Sequence, residues 1–198
     1  MNKFKVKNLE FEYCKQEYNN AYRNERTVEV PLGIHALQLL RQDSLPIYEL
    51  GAVLPYYIGE AAHHTIVDYY DPWRTCIKQD VSTLDFSGKN VLSISTIEHI
   101  GTPDYGNKNL NDKLAFEVMN KIYQQSIKYF VTFPLGLHMQ LQTSILQSDI
   151  PRFVMKRLNA QNEWLLLDNS NDFSFQYDRP FNNANAICVL TNLKEFYD

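Results

Sequence analysis

The residues that could do chemistry fall within one stretch, Ile47 to Gly101, and at equivalent places inside it. Short apolar runs there each end in a carboxylate, glycine or hydroxyl residue. IYELG carries Glu49 and Gly51, HTIVDYYD carries Asp68 and Asp71, IKQDV carries Asp80 and Val81, and NVLSISTIEHIG carries Ser95, Glu98 and His99. A carboxylate can accept two hydroxyl donors with charge-assisted strength. Glycine lets the chain turn sharply and approach a ligand closely. An imidazole, with an unperturbed pKa near 6.5, can take a proton at neutral pH. Glu98 could orient His99 or bind substrate. Each residue also has a plainer reading: Asp68 as a turn cap, Asp80 as a loop acid, and His99 as a strand-end cap; Asp71, three residues on, is the fallback for Asp68 as the acid that accepts two hydroxyls. Glu49 in a buried strand is costly unless it is paired or faces a crevice.

Apolar runs of this length between brief polar connections read as parallel strands, whose C-terminal ends line the crevice where open α/β sheets bind ligands. The expected strands are 47–51, 65–70, a vestigial one near 76–78, and NVLSISTIEHIG, running as far as Glu98-His99. Little chain separates Gly51 from the second strand, so the helix between them must be short. The gap from Asp71 to Ile77 reduces the second helix to a turn or removes it. Upstream, NERTVEVPLGIHALQLLRQ reads as an extended approach to Pro31, then a helix burying Ile34, Leu37, Leu40, Ala36 and Leu39. RQDSLP breaks that helix. Downstream come the loop GTPDYGNKNLNDK, a helix with the stripe Leu114, Val118 and Ile122 and Asp112 as its N-terminal acid, the strand YFVTFPLG, and a short helix in LQTSILQSD. RFVMKRLN and ANAICVLTNL follow as an antiparallel pair, with NEWLLLDNSNDF between them the one place left for a helix.

The fold class is therefore three-layer α/β, Rossmann-like, mostly parallel, with an antiparallel C-terminal strand and a reduced second helix. A chain of 198 residues is one domain on the usual prior, with 1–45 as an N-terminal lid or helical segment and 46–198 as the α/β core. The aromatics Tyr13, Tyr18 and Tyr22 either pack under a helix or close over the crevice. Arg26 and Glu29 either touch ligand or form a surface ion pair of little worth.

A net charge of −4 disfavours nucleic acid as partner. Cys14, Cys76 and Cys188 are odd in number and in no metal or redox spacing, which points to reduced thiols and a cytoplasmic protein. No apolar run has signal-peptide or membrane-spanning length. The other histidines, His35, His63, His64 and His138, have no zinc spacing and read as solvent-facing or capping residues, so no metal is expected.

Two groups of residues carry a resemblance. One is Asn24, Glu25, Arg26, Val28, Glu29, Val30 and Pro31; the other is the series YELGAVL, IVD and SISTIEHIG. With these, the chain from about Tyr18 onward resembles the class I S-adenosylmethionine-dependent methyltransferases, in particular small bacterial methyltransferase-domain proteins. The resemblance implies S-adenosylmethionine as cofactor. Glu49 and Gly51 would form its E-x-G, Asp68 would hold the ribose diol, Asp80 and Val81 would meet the adenine, and Ser95 would join the cofactor site. Glu98 and His99 would stand at the methyl-transfer centre. The usual G-x-G-x-G continues here as Gly51-Ala52-Val53-Leu54-Pro55, leaving less room beside the amino-acid end. Trp73 and Arg74 either flank the adenine or pack at the surface. The activity implied is in-line methyl transfer to a small molecule or glycan precursor, where catalysis is largely positioning. Loops 101–112 and 134–150 and the N-terminal segment would shape the acceptor pocket, with no nucleic acid and no membrane involved. The alternative is a non-catalytic methyltransferase-like scaffold or partner-binding module. A nicotinamide-dependent oxidoreductase fits worse, for want of a G-x-G-x-x-G run.

Overall fold

The computed structural model describes residues 3–59, 64–73, 75–104 and 110–198. A hairpin, β1 (Lys3–Val6) and β2 (Leu9–Glu12), precedes helix α1 (Arg26–Leu40). Then come β3 (Ile47–Leu50), the single turn α2 (Pro55–Ile58), β4 (Thr65–Val67) and β5 (Asn90–Ile94). Helix α3 (Leu114–Gln125), β6 (Lys128–Pro134), α4 (Met139–Leu146), β7 (Arg152–Arg157), β8 (Trp164–Leu166) and β9 (Ala186–Thr191) complete the domain.

Seven strands form one sheet in the order β4-β3-β5-β6-β9-β7-β8. The first four are parallel, β9 lies antiparallel between β6 and β7, and β8 closes the far edge antiparallel to β7. The expected antiparallel partnership of the last two long strands is present. The NEWLLL stretch, read as room for a helix, is instead the edge strand β8. A residual third strand survives as a parallel bridge from Ile77 to Val67. Its backbone bonds are Ile77 N–H to Ile66 O at 2.8 Å and Asp68 N–H to Ile77 O at 3.1 Å. No helix lies between Asp71 and Ile77 among the described residues.

Strand alternation divides the core into two layers. Val91, Tyr129, Val131, Phe133, Val154, Cys188 and Leu190 face α3 and α4, meeting Val118, Ile122, Leu141 and Ile145. Leu92, Ile94, Phe130, Phe153, Met155, Ile187 and Val189 face α1, meeting Val28, Leu32, Leu37 and Leu40. Phe4 and Val6 of the hairpin and Phe196 join this second cluster. Helix α1 is thus covered by more than the sheet, which explains why apolar residues occupy so much of its circumference.

The extended approach to Pro31 is corrected: the helix starts at Arg26 and runs through the proline. An internal proline removes a hydrogen bond and crowds the carbonyl four residues back. That carbonyl, Thr27 O, instead accepts the N–H of Cys14 at 2.9 Å, while Thr27 Oγ1 donates to Cys14 O at 3.1 Å. The vacated acceptor is filled from outside the helix. No described helix is long and apolar enough to cross a membrane.

Asn90 ties the α1 layer to the sheet. Its fully buried Nδ2 donates to Leu40 O at 2.9 Å and its Oδ1 accepts Lys128 N–H at 3.1 Å. Asn90→Ala strands a donor and an acceptor, each costing about 1–3 kcal/mol when buried. Urea unfolding should show a loss of about 2–6 kcal/mol with an unchanged m-value; a loss under about 0.5 kcal/mol would mean the bridge contributes nothing.

Candidate functional site

A cavity of about 640 Å³ opens at the C-terminal ends of β3, β4 and β5. The chain leaves β3 toward β4 on one side and returns as β5 on the other, and such a reversal of strand order opens a crevice. The segments following each strand supply the walls: Gly51–Val53, Val67–Pro72, Gln79–Val81, and Ser95, Thr96 and His99–Gly101. Tyr18, Asn19, Arg26 and Tyr57 line it from the N-terminal side, and Asp104 and Leu114 from beyond β5.

Gly51 makes the close approach possible. Its φ is +82°, and a Cβ there would sit 2.0 Å from Thr96 Oγ1. Across the rim, Asp68 Oδ1 accepts the N–H groups of Tyr70 at 2.7 Å and Asp71 at 2.8 Å, and Oδ2 accepts that of Ala52 at 3.2 Å. Asp68 therefore caps its turn and lines the cavity at once, so the two readings of it coexist. Asp71 accepts the Tyr56 hydroxyl at 2.9 Å and the Trp73 N–H at 2.8 Å. Tyr56 in turn stacks on Tyr18, with centroids 4.6 Å apart. Trp73 packs edge-on against Tyr56 and is not a wall residue; Arg74 and His63 lie outside the described residues. Asp80 Oδ1 caps the turn 81–83 through Ser82 N–H at 2.9 Å, leaving Asp80 and Val81 on the cavity wall.

Glu49 is not at the rim. It is fully buried, and its Oε1 accepts the N–H groups of Val53 at 2.9 Å and Leu54 at 2.7 Å. Its Oε2 pairs with His64 Nε2. His64, expected at the solvent or on a cap, has a side chain only 1% exposed. The reason is the burial cost of the acid: β3 pairs with β4, and the histidine just before β4 is the polar group within reach. His138 does cap α4, accepting Leu141 N–H at Nδ1, though it is buried. His35 packs edge-on between Phe11 and Phe196 rather than facing solvent.

The strand containing SISTIEHIG ends earlier than expected, at Ile94. Ser95 turns the chain with φ +38°, and Ile97–His99 form a tight turn. This separates the neighbours Glu98 and His99. His99 reaches the cavity and pairs through Nδ1 with Asp104 Oδ2 at 2.6 Å. Glu98 is 2% exposed and is not a wall residue. Its Oε1 lies 3.7 Å from His99 Nε2, and its Oε2 has no partner among the described residues. Burial, with Glu29 nearby, holds the Glu98 carboxyl well above the usual range.

The segment Asn24–Glu29 forms neither a surface ion pair nor a loose flap. Glu29 is fully buried; its Oε1 accepts the hydroxyls of Ser95 at 2.6 Å and Thr132 at 2.7 Å, and its Oε2 meets Arg26 at 3.3 Å. Arg26 also donates to Ile94 O at 3.0 Å and Ser95 O at 3.4 Å. Glu25 accepts Ala184 N–H at 3.2 Å. Thus α1 is bonded to the carboxyl ends of β5 and β6, directly beneath the cavity. Thr96, Ile100 and Asp104 were not anticipated: nothing in the sequence marks Thr96 as the residue facing Gly51. Among the described residues no group of three or more His, Cys, Asp or Glu could hold a metal.

The strand order is that of a Rossmann-like, mostly parallel sheet with an antiparallel strand inserted beside the last parallel one. No protein-family model matches the chain, and no curated protein matches it significantly. Among solved structures it is similar to magnesium protoporphyrin IX methyltransferase (ChlM) from Synechocystis PCC 6803 with bound SAM. That match has 11% identity, a TM-score of 0.41, and covers 84% of each chain. It is also similar to the small RNA methyltransferase HEN1, with 12% identity and a TM-score of 0.42, over 88% of this chain and 26% of that one. At such distances the chemistry has to be read from the cavity residues themselves.

Two outcomes follow from this geometry. Gly51→Ala adds a left-handed-backbone cost of about 1–2 kcal/mol and a clash worth about 1–3 kcal/mol. It should destabilise the fold by about 2–5 kcal/mol in urea, with Thr96→Ala relieving only part of the clash because the retained Thr96 Cβ would still lie 2.8 Å away. Glu98 has its folded-state pKa raised, so its contribution to stability is present below the unfolded-state value and is lost as pH rises toward the folded one. Glu98→Gln should therefore gain stability relative to wild type, and gain more at pH 8 than at pH 5.5. An equal gain at both would mean Glu98 does not titrate between them.

Proposed function

We propose that this chain is an S-adenosylmethionine-dependent methyltransferase. The observation that carries the reading is the cavity at the strand reversal, where a glycine too close to Thr96 for any side chain is flanked by the Asp68 carboxylate. The wall residues suit the parts of that cofactor. Asp68 Oδ2 carries a single amide at 3.2 Å, leaving acceptor capacity for a ribose hydroxyl. Val81, Ile100 and Leu114 offer apolar surface for an adenine, with Asp80 beside them for its amine. Gly51, Thr96 and Ser95 also line the cavity, and the amino-acid end would sit beside them. Bound there, the cofactor would supply a methyl group activated by its sulfonium.

The protein's own part is to bind, orient and exclude water. Tyr18, Asn19 and Arg26 line the cavity from the N-terminal part, 1–45, so the segment around Tyr18–Arg26 is the proposed lid over the 46–198 core. With Nδ1–H donated to Asp104, proton uptake by His99 falls to Nε2, the role proposed for it when the acceptor is a hydroxyl or ammonium. Glu98, buried behind that ring, would act on His99 and not on substrate. The proposed acceptor is a small molecule or glycan precursor, consistent with the net charge of −4. Three cysteines without disulfides suit the reducing cytoplasm. A non-catalytic scaffold is favoured by one observation: the Val53 and Leu54 amides are taken by Glu49 and cannot also cradle a ligand. Cofactor binding separates the two readings.

Calorimetric titration with S-adenosylhomocysteine should show saturable binding. Asp68→Asn keeps an acceptor for the Tyr70 and Asp71 amides while removing the charge offered to the diol, so it should weaken binding at least tenfold, roughly 1.4 kcal/mol, without unfolding the protein. No binding by folded wild type at millimolar ligand rules the methyltransferase reading out.

A further inference from the structure

In sheets of this kind the turn after the first strand of the site offers backbone N–H groups to the ligand, and helix N-termini and glycine turns serve anions in that way. Here that turn is committed elsewhere. The N–H groups of Val53 and Leu54 both end on Glu49 Oε1, and Ala52 N–H ends on Asp68. A ligand with an anionic end entering beside Gly51 therefore needs another donor.

Among the described wall residues, one lysine or arginine side chain is present, that of Arg26. Arg26 lines the cavity, and its head is clamped at the carboxyl end of β5 by Ile94 O, Ser95 O and Glu29. Ser95, whose carbonyl Arg26 bonds, adjoins Thr96, the residue that Gly51 touches, so the guanidinium lies on the Gly51 side of the cavity. A guanidinium has five N–H donors. Three bonds are accounted for here, two from Nη1 and one from Nη2, which leaves Nε–H and one Nη2–H without a partner among the described residues. The side chain is 12% exposed and forms part of the cavity wall. Glu29, its carboxylate partner, is itself occupied by the hydroxyls of Ser95 and Thr132. The guanidinium is thus held in orientation without being saturated.

We propose that Arg26 is the binding residue for the carboxylate of the ligand's amino-acid end, replacing the loop amides that Glu49 has taken. This rests on the S-adenosylmethionine reading and adds a ligand requirement to it: the cavity should select adenosyl compounds that carry a carboxylate. The motif Asn24-Glu25-Arg26 would then matter because Asn24 Oδ1 accepts Arg26 N–H at 3.0 Å and Glu29 aims the head.

The test compares S-adenosylhomocysteine with 5′-deoxy-5′-(3-aminopropylthio)adenosine, which lacks only the carboxylate, by calorimetry on wild type, Arg26→Lys and Arg26→Ala. Wild type should bind the carboxylate ligand at least tenfold more tightly. Arg26→Ala should erase that preference while keeping affinity for the decarboxylated compound within about threefold, and Arg26→Lys should retain part of it. Equal wild-type affinity for the two ligands overturns this inference and leaves the methyltransferase reading standing, as does an equal loss of both in Arg26→Ala, which would mark a purely structural arginine. Should Arg26→Ala not fold, as judged by its thermal melt, the wild-type ratio and Arg26→Lys decide. Wild-type binding of neither compound overturns both the inference and the reading beneath it.

Discussion

The structure hangs on one buried carboxylate. Glu29 lies at the interface between a helix and two strand ends, taking hydroxyl donors from Ser95 on one side and Thr132 on the other and a guanidinium from its own helix. Burying a charge is costly unless its oxygens are satisfied, and removing one partner from such a pair is strongly destabilising. Burial raises the Glu29 carboxyl above its usual range even with Arg26 beside it, so the hydroxyls and the guanidinium are needed together. The position of α1 over β5 and β6 follows from that bonding as much as from the apolar contacts of Leu32 and Leu37. Because the bonds end at the strands' carboxyl edge, the same residues that join the layers also set the floor of the cavity.

A second buried acid performs the equivalent task on the other wall. Glu49 holds the turn after β3 from below, and His64 closes off its second oxygen. Gly51 and Thr96 then meet at a distance that only a missing side chain permits. Two carboxylates that never face the ligand therefore shape the space it would occupy, while Asp68 and Asp80, each already capping a turn, present their remaining acceptor capacity to it.

Much of this could be read from the chain alone, for definite reasons. Parallel strands bury both faces and read as apolar runs, so IYEL, NVLSI and YFVTF stood out, and the polar residues at their ends marked the rim. The bridge at Ile77 and the lost second helix followed from simple lengths. What could not be read was decided by distant partners. The helix start at Arg26 depended on Cys14 filling the Thr27 carbonyl, which Pro31 alone argues against. Glu49 could be recognised as a buried acid but not as one facing away from the crevice. Glu98 and His99, adjacent in sequence, were parted by a turn that begins one residue after the strand, at a backbone angle that Ser95 does not advertise. The hairpin was the exception: Phe4 and Val6 alternate with Lys3 and Lys5 in a pattern that a period-two reading could have caught.

The place of β9 has a consequence for how the molecule assembles. Strand β7 joins β6 only through β9, which follows β7 and β8 in sequence. During synthesis the β7–β8 ribbon therefore has no route onto the sheet until Ala186–Thr191 has emerged, and β6 waits with an unpaired edge. Such late, long-range closure slows folding and leaves an edge able to pair with other chains. Completion of the sheet is thus a single insertion event, governed by the six residues of β9.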